Sequence, residues 1–168
     1  MSNGSERSAR EAVVIGGASG IGWATAQALA AEGCRVTIAD LNADSARDRA
    51  SELGSAHATV DVTDEDSVQL LFDGIGPLDI VVNCAGFSNV GLITDMPAED
   101  FRAVIDVCLN GAFIVAKHAG RHLREGGSLI QISSLNGRQP AAGMSAYCAA
   151  KAGLSMLTQV AALEMGPR

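Results

Sequence analysis

Positive charge is scarce in this chain: 12 Lys and Arg stand against 19 Asp and Glu, for a net charge of −7 over 168 residues. A balance this acidic argues against nucleic acid or an anionic membrane surface as the main partner. No apolar run approaches the ~18 residues that a membrane span needs. The stretch over residues 1–12 is polar and lacks the apolar core of a secretory signal. The four cysteines, Cys34, Cys84, Cys108 and Cys148, are far apart, with no Cys-x-x-Cys pair. That spacing excludes a zinc-ribbon pattern, and without a secretory signal it argues against a disulfide framework. His118 and His122 stand four apart without a third ligand, so no metal site is expected. Repeats, low-complexity tracts and linkers are absent. The expectation is a polar tail over 1–9, then one soluble, cytoplasmic domain with reduced thiols over 10–168.

What the chain does have is apolar residues, at 48%, and 19 glycines. Short apolar runs alternate with stretches of helical period. The runs are Glu11–Ile15, Arg35–Ala39, Ala56–Val60, Leu78–Val82 and Ser128–Ser133. Between them the periodicity predicts helices from Gly20 to Glu32, from Asn42 to Gly54, and from the acidic start at Thr63–Asp66. Two more follow, from Pro97 to about Arg124 and from Ser145 to about Glu164. Strands this apolar, each separated from the next by a helix, read as buried on both faces. The fold class is therefore α/β: a doubly wound, Rossmann-like parallel sheet of five strands, expected in the order 3-2-1-4-5, with helices on both faces.

The first run leads directly into Gly16-Gly17-Ala18-Ser19-Gly20-Ile21-Gly22, which opens a helix. Glycines there permit a tight turn, let backbone N–H groups approach a pyrophosphate, and let the helix pack close to the sheet. Asp40 ends the second run, with Leu41 beside it. A carboxylate at that place accepts hydrogen bonds from ribose hydroxyls and repels a 2′-phosphate. No Lys or Arg stands within the glycine loop or directly after Asp40. NAD is thus expected over NADP.

The chain has one tyrosine, Tyr147, and Lys151 follows it four residues later on a predicted helix. The two share a face. An ammonium near a phenol favours the phenolate, which suits Tyr147 to general acid/base work on an alcohol or carbonyl oxygen. Ser134, at the end of the fifth run, is placed to hydrogen-bond the same oxygen.

Taken together, the glycine loop, Asp61-Val62, Asn83-Cys84-Ala85-Gly86, Ser134, Tyr147 and Lys151 resemble the short-chain dehydrogenase/reductase family in its compact form. The resemblance runs from about Ala12 to Arg168. It implies hydride transfer between a nicotinamide and a secondary alcohol or ketone. In it Tyr147 is the acid/base, Ser134 the partner of the carbonyl oxygen, and Lys151 the holder of the nicotinamide ribose. Asp61 and Val62 then border the adenine, and Asn83, Ala85 and Gly86 form an inner wall of the cofactor site.

Three positions depart from the family pattern. Ile15 stands where a threonine is usual, and Cys84 where a second asparagine is. Cys108 falls where the family has its catalytic asparagine, and a thiol is a weak donor and acceptor. Asn110 is no substitute, since on a regular helix it points about 200° away. A weakened proton relay is expected, with cofactor binding kept. The chain supplies five strands, so it reads as the N-terminal portion of a longer protein, without the remaining strands and substrate lid. A homodimer or homotetramer is expected, acting on a neutral substrate. The alternative is a cofactor-binding but catalytically impaired domain that acts through subunit association.

Overall fold

The computed structural model describes residues 9–167, so the expected tail lies outside the described residues except for Ala9. Five strands, β1 (Glu11–Ile15), β2 (Arg35–Asp40), β3 (Ala56–Thr59), β4 (Leu78–Asn83) and β5 (Leu123–Gln131), form one parallel sheet. Their order is β3-β2-β1-β4-β5, as expected for a doubly wound sheet of the Rossmann type. Ala12 to Ile15 and Val81-Val82 are almost wholly buried, as β-branched residues in a sheet covered on both sides should be. The expectation of two-sided burial fails at the margins. Every residue of β3 and of β5 is exposed or half-buried, because helical cover thins toward the edges of the sheet.

Helices α1 (Gly20–Ala31) and α2 (Ala43–Leu53) cover one face, packing on Val14, Val36 and Ile38. On the other face α3 (Glu65–Ile75) and α5 (Gly111–His122) pack on Val13, Ile15 and Val81 through Phe72, Val68 and Val115. Beside α5, α4 (Ala98–Ile105) and α6 (Ser145–Met165) pack on each other through Val104, Ala146 and Ala150. Helix starts follow local chemistry. Asn42 accepts from the Ser45 N–H at 3.0 Å, and Asp64 from the Asp66 N–H at 3.0 Å, each satisfying an otherwise unpaired donor.

The single helix predicted from Pro97 to about Arg124 is three pieces. α4 and α5 are joined by a π-helical turn at Asp106–Asn110, and the helix stops at His122. Pro97 stands just before the helix, not in its first turn. Leu123 is already extended, so β5 begins five residues before the expected Ser128 and ends at Gln131 rather than Ser133. The extra length is taken up where the register with β4 shifts between Leu78 and Ile80, next to Gly126-Gly127. By length and composition alone, Ala98–His122 is long and apolar enough to cross a membrane, with mean hydropathy 1.3. Its apolar residues form a periodic stripe rather than an uninterrupted run. Val104, Cys108, Ala112, Val115 and Ala119 on that stripe are buried inside the domain.

Register decides where a site can form. Ile15 pairs with Ala39 and with Asn83, and Asn83 pairs with Gln131, so the carboxyl ends of four strands lie level. Strand order reverses between β1 and β4. In sheets of this kind the crevice outside the carboxyl ends at the reversal is where ligands bind.

Candidate active site

The glycine loop sits at that crevice. Gly16 has φ +71°, and a Cβ on it would stand 2.9 Å from the Ala85 nitrogen. Gly22 is tighter, for its Cβ would lie 2.0 Å from the Gly16 carbonyl oxygen. The loop after β1, the loop after β4 and the first turn of α1 are thus packed backbone on backbone. Only glycine fits there, and the arrangement leaves the N-terminal end of α1, with its unpaired N–H groups and partial positive charge, open to the crevice. Ser19 precedes the helix and makes no side-chain capping bond.

Two adjoining cavities, of about 330 and 410 Å³, meet at Gly16, Ser19 and Gly86. The first is lined by Asp40, Leu41, Asp61, Val62 and Ala85. Asp40 accepts from the Ala18 N–H at 3.0 Å through one oxygen and from the Asn42 N–H at 3.1 Å through the other. Its carboxylate therefore ties the glycine loop to the end of β2, a restraint not expected from the sequence. It stands where Ile15 offers no hydroxyl to do the same. Asp61 accepts from both the N–H and the hydroxyl of Thr63, which fixes the turn after β3. Leu41 and Ile21 are exposed at the rim.

The second cavity brings together Gly20, Ile21 and Gly22 with Ser134, Tyr147 and Lys151. Lys151 is 4% exposed, and its Nζ donates to the Ile132 carbonyl at 2.7 Å. The ammonium lies 5.6 Å from the centre of the Tyr147 ring, as the four-residue spacing predicts. Burial holds the Lys151 pKa below the usual lysine range, while the neighbouring thiols of Cys108 and Cys84 act to raise it. The Cys84 thiol is itself pushed up to about 11 by burial, against the opposing pull of Lys151. Cys84 is thus a neutral packing group at physiological pH. Ser134 accepts from the Asn136 N–H at 3.2 Å, which starts the short 3₁₀ turn Leu135–Gly137.

Cys108 lies in the π-helical turn and is buried against this cavity. Its thiol contacts the Phe87 carbonyl at 3.3 Å, and a Cβ on Gly86 would sit 3.3 Å from its sulfur. Asn110 is exposed and donates to Asp106 at 2.8 Å, away from the cavity. Asn83 is buried, accepts from the Ala85 N–H and donates to Gln131 at 2.9 Å. Gln131 in turn donates to the Ala112 carbonyl at 2.9 Å. The sequence reading missed Gln131 as part of the site and gave Phe87 only as the start of the loop 87–96 that borders the substrate pocket. Phe87 had a signal, for it directly follows the Asn83–Gly86 motif. Gln131 had a weaker one, a lone amide in an apolar strand.

Loops 87–96 and 135–144 also meet here: the Gly91 N–H donates to the Gly143 carbonyl at 2.9 Å. A cavity of about 470 Å³ between them is lined mainly by apolar groups, among them Leu92, Ile93, Pro140 and Ala141. Among the described residues no cluster of three His, Cys, Asp or Glu could hold a metal.

A family model described as short chain dehydrogenase matches residues 10–168. The cis-4-hydroxycyclohexanecarboxylate dehydrogenase of Sinomonas cyclohexanicum is 42% identical over 166 residues, covering 92% of this chain and 66% of that one. The sorbitol dehydrogenase of Cereibacter sphaeroides is 34% identical over 165 residues, covering 93% and 64%. Among solved structures, BdcA in complex with NADPH superimposes with a TM-score of 0.89 at 31% identity, over 95% of this chain and 66% of that one. The chain thus spans about two thirds of the length of these relatives.

Proposed function

The chain belongs to the short-chain dehydrogenase family, and from that premise we propose that it is an NAD-dependent oxidoreductase for secondary alcohols or ketones. The convergence of Ser134, Tyr147 and Lys151 on one cavity, at the end of the glycine-loop crevice, carries this reading. A nicotinamide cofactor, when bound, supplies the hydride-exchanging carbon. The residues present fit one: a pyrophosphate suits the open end of α1 and the close-packed glycines. Asp61 and Val62 border the adenine, and Asn83, Ala85 and Gly86 the inner wall.

Tyr147 takes the proton of the alcohol on its phenolate oxygen, or returns it to the carbonyl oxygen in the reverse direction. Ser134 holds the same substrate oxygen by its hydroxyl. Lys151 stabilises the phenolate and binds the nicotinamide ribose. Asp40 selects NAD, because a 2′-phosphate would meet a carboxylate already locked in place by two backbone N–H groups. BdcA, bound to NADPH, makes this a sharp test rather than a family default. Loops 87–96 and 135–144, mixed apolar and polar without a charged cluster, favour a neutral substrate. The protein is cytoplasmic and a homodimer or homotetramer on this reading. The alternative, a domain without turnover acting through subunit association, is not favoured, since the relatives are named as dehydrogenases.

Fluorescence of the single Trp23, in the first turn of α1, reports the cofactor directly. Titration with NADH is expected to quench it saturably, and NADPH to bind at least tenfold more weakly. A flat response from folded protein overturns the reading, and equal affinities overturn the selection by Asp40.

A further inference from the structure

Two serine hydroxyls converge on one atom of α6, the Lys151 carbonyl oxygen: Ser155 from within the helix and Ser133 across from the segment that follows β5. Ser155, one helical turn on, donates to it at 2.9 Å. Ser133 Oγ lies 2.9 Å from Ser155 Oγ and 3.4 Å from the same carbonyl, so its one hydroxyl hydrogen serves either partner. Gly137 closes the third side, for a Cβ there would come within 2.8 Å of that oxygen. The residue before Ser133 supplies the carbonyl that holds the Lys151 ammonium, and the residue after it is Ser134. Ser134 in turn starts the 3₁₀ turn that ends at Gly137. One docking point therefore sets Ser134 and Lys151 relative to each other.

We infer that Ser133 and Ser155 are positioning residues, a hydroxyl clamp that seats the Lys151 turn of α6 on the end of β5 and so aims the lysine ammonium. Lys151 has a long side chain with several torsions, and its backbone anchor decides where the ammonium can reach. Ser155 stands off the cavity and Ser133 lines its edge beside Ser134, but both hydroxyls bond the Lys151 turn, so on the reading proposed above, on which this role rests, they act through the lysine. Ser133 is exposed and Ser155 half-buried, so removing either hydroxyl leaves the core intact. The groups facing the ammonium are Tyr147, Cys84 and Cys108, with no carboxylate among those that perturb it. Geometry therefore governs how strongly it supports the phenolate.

The chain has two lysines, Lys117 and Lys151, and this makes a clean experiment. Lys117 pairs with Glu65 on the far side of α5 and serves as the internal reference. Reductive methylation with formaldehyde and cyanoborohydride, read by peptide mass spectrometry, measures the Lys151-to-Lys117 rate ratio. In Ser133→Ala/Ser155→Ala the ratio is expected to rise at least about fivefold, since the hydrogen bonds of both hydroxyls are lost. Turnover of a secondary alcohol with NAD is expected to fall, with the acidic limb of its pH profile, where the phenolate is protonated, moved to higher pH. Ser133→Thr keeps the hydroxyl and restores both. An unchanged labelling ratio in the double variant overturns the clamp. Wild-type protein without turnover instead overturns the proposed reaction, and labelling then decides the clamp alone.

Discussion

The two ends of the crevice are built by different means. At the glycine loop, three stretches of backbone pack against each other through Gly16, Gly22 and Ala85, inside a sheet whose central strands are buried on both faces. At the end that holds Tyr147 and Lys151, β5 is a sheet edge among the described residues, and single hydrogen bonds made by Lys151, Ser133 and Gln131 and accepted by Ser134 fix the geometry. Steric packing admits no partial failure, because a Cβ either fits or does not. A hydrogen-bonded edge can loosen by degrees. Cofactor binding and turnover should therefore respond separately to substitution.

The sharpest separation is expected from Tyr147→Phe. Loss of the only phenol should lower turnover by roughly 10²–10⁴-fold, the range of a general acid/base group, while the Kd for NADH stays within about twofold. A parallel fall in NADH affinity would merge the two ends into one unit. Gly22→Val probes the other end, where a Cβ alone would overlap the Gly16 carbonyl. Its NADH affinity should drop about 100-fold or more, with a lower melting temperature, since the first turn of α1 must move off the loop. Retained affinity would show that the packed glycines do not form the binding surface.

Smaller effects sharpen the contrast at the catalytic end. Cys108→Asn puts an amide donor and acceptor beside Gly86 and the Phe87 carbonyl. It should raise kcat about threefold to tenfold, the barrier equivalent of one ordinary hydrogen bond, without moving the NADH Kd. No change in kcat would mean that the thiol already serves the relay. Lys151→Met tests the cost of the buried ammonium. The folded-state pKa of Lys151 lies below its unfolded value, so between the two the unfolded chain binds more protons and stability rises with pH. Below the lowered pKa the whole cost remains. The methionine variant should gain roughly 0.5–2 kcal/mol at neutral pH in urea denaturation, as single stabilising substitutions do, and lose that alkaline rise. Turnover should vanish with it.

The sheet order, the glycine loop and the pairing of Tyr147 with Lys151 were legible because each is a matter of spacing along the chain. Alternating apolar runs specify a parallel sheet, glycines specify where backbone can approach backbone, and a four-residue step puts two side chains on one helix face. The π-helical turn at Asp106–Asn110 was not legible, since one residue of excess leaves the apolar stripe intact. Nor was the early start of β5, where Leu123 follows a helix with no proline or glycine between them.

By itself, then, the sequence determined the fold class, the family and which residue types gather at the crevice, because those are local properties repeated at fixed intervals. Tertiary structure alone decided the rest. It joined Asp40 to the Ala18 N–H across 22 residues and Asn83 to Gln131 across 48, and it brought Ser133 to the Lys151 carbonyl across 18. Such contacts depend on strand register and on the rotation of α6 against β5. Neither leaves a periodic trace along a chain.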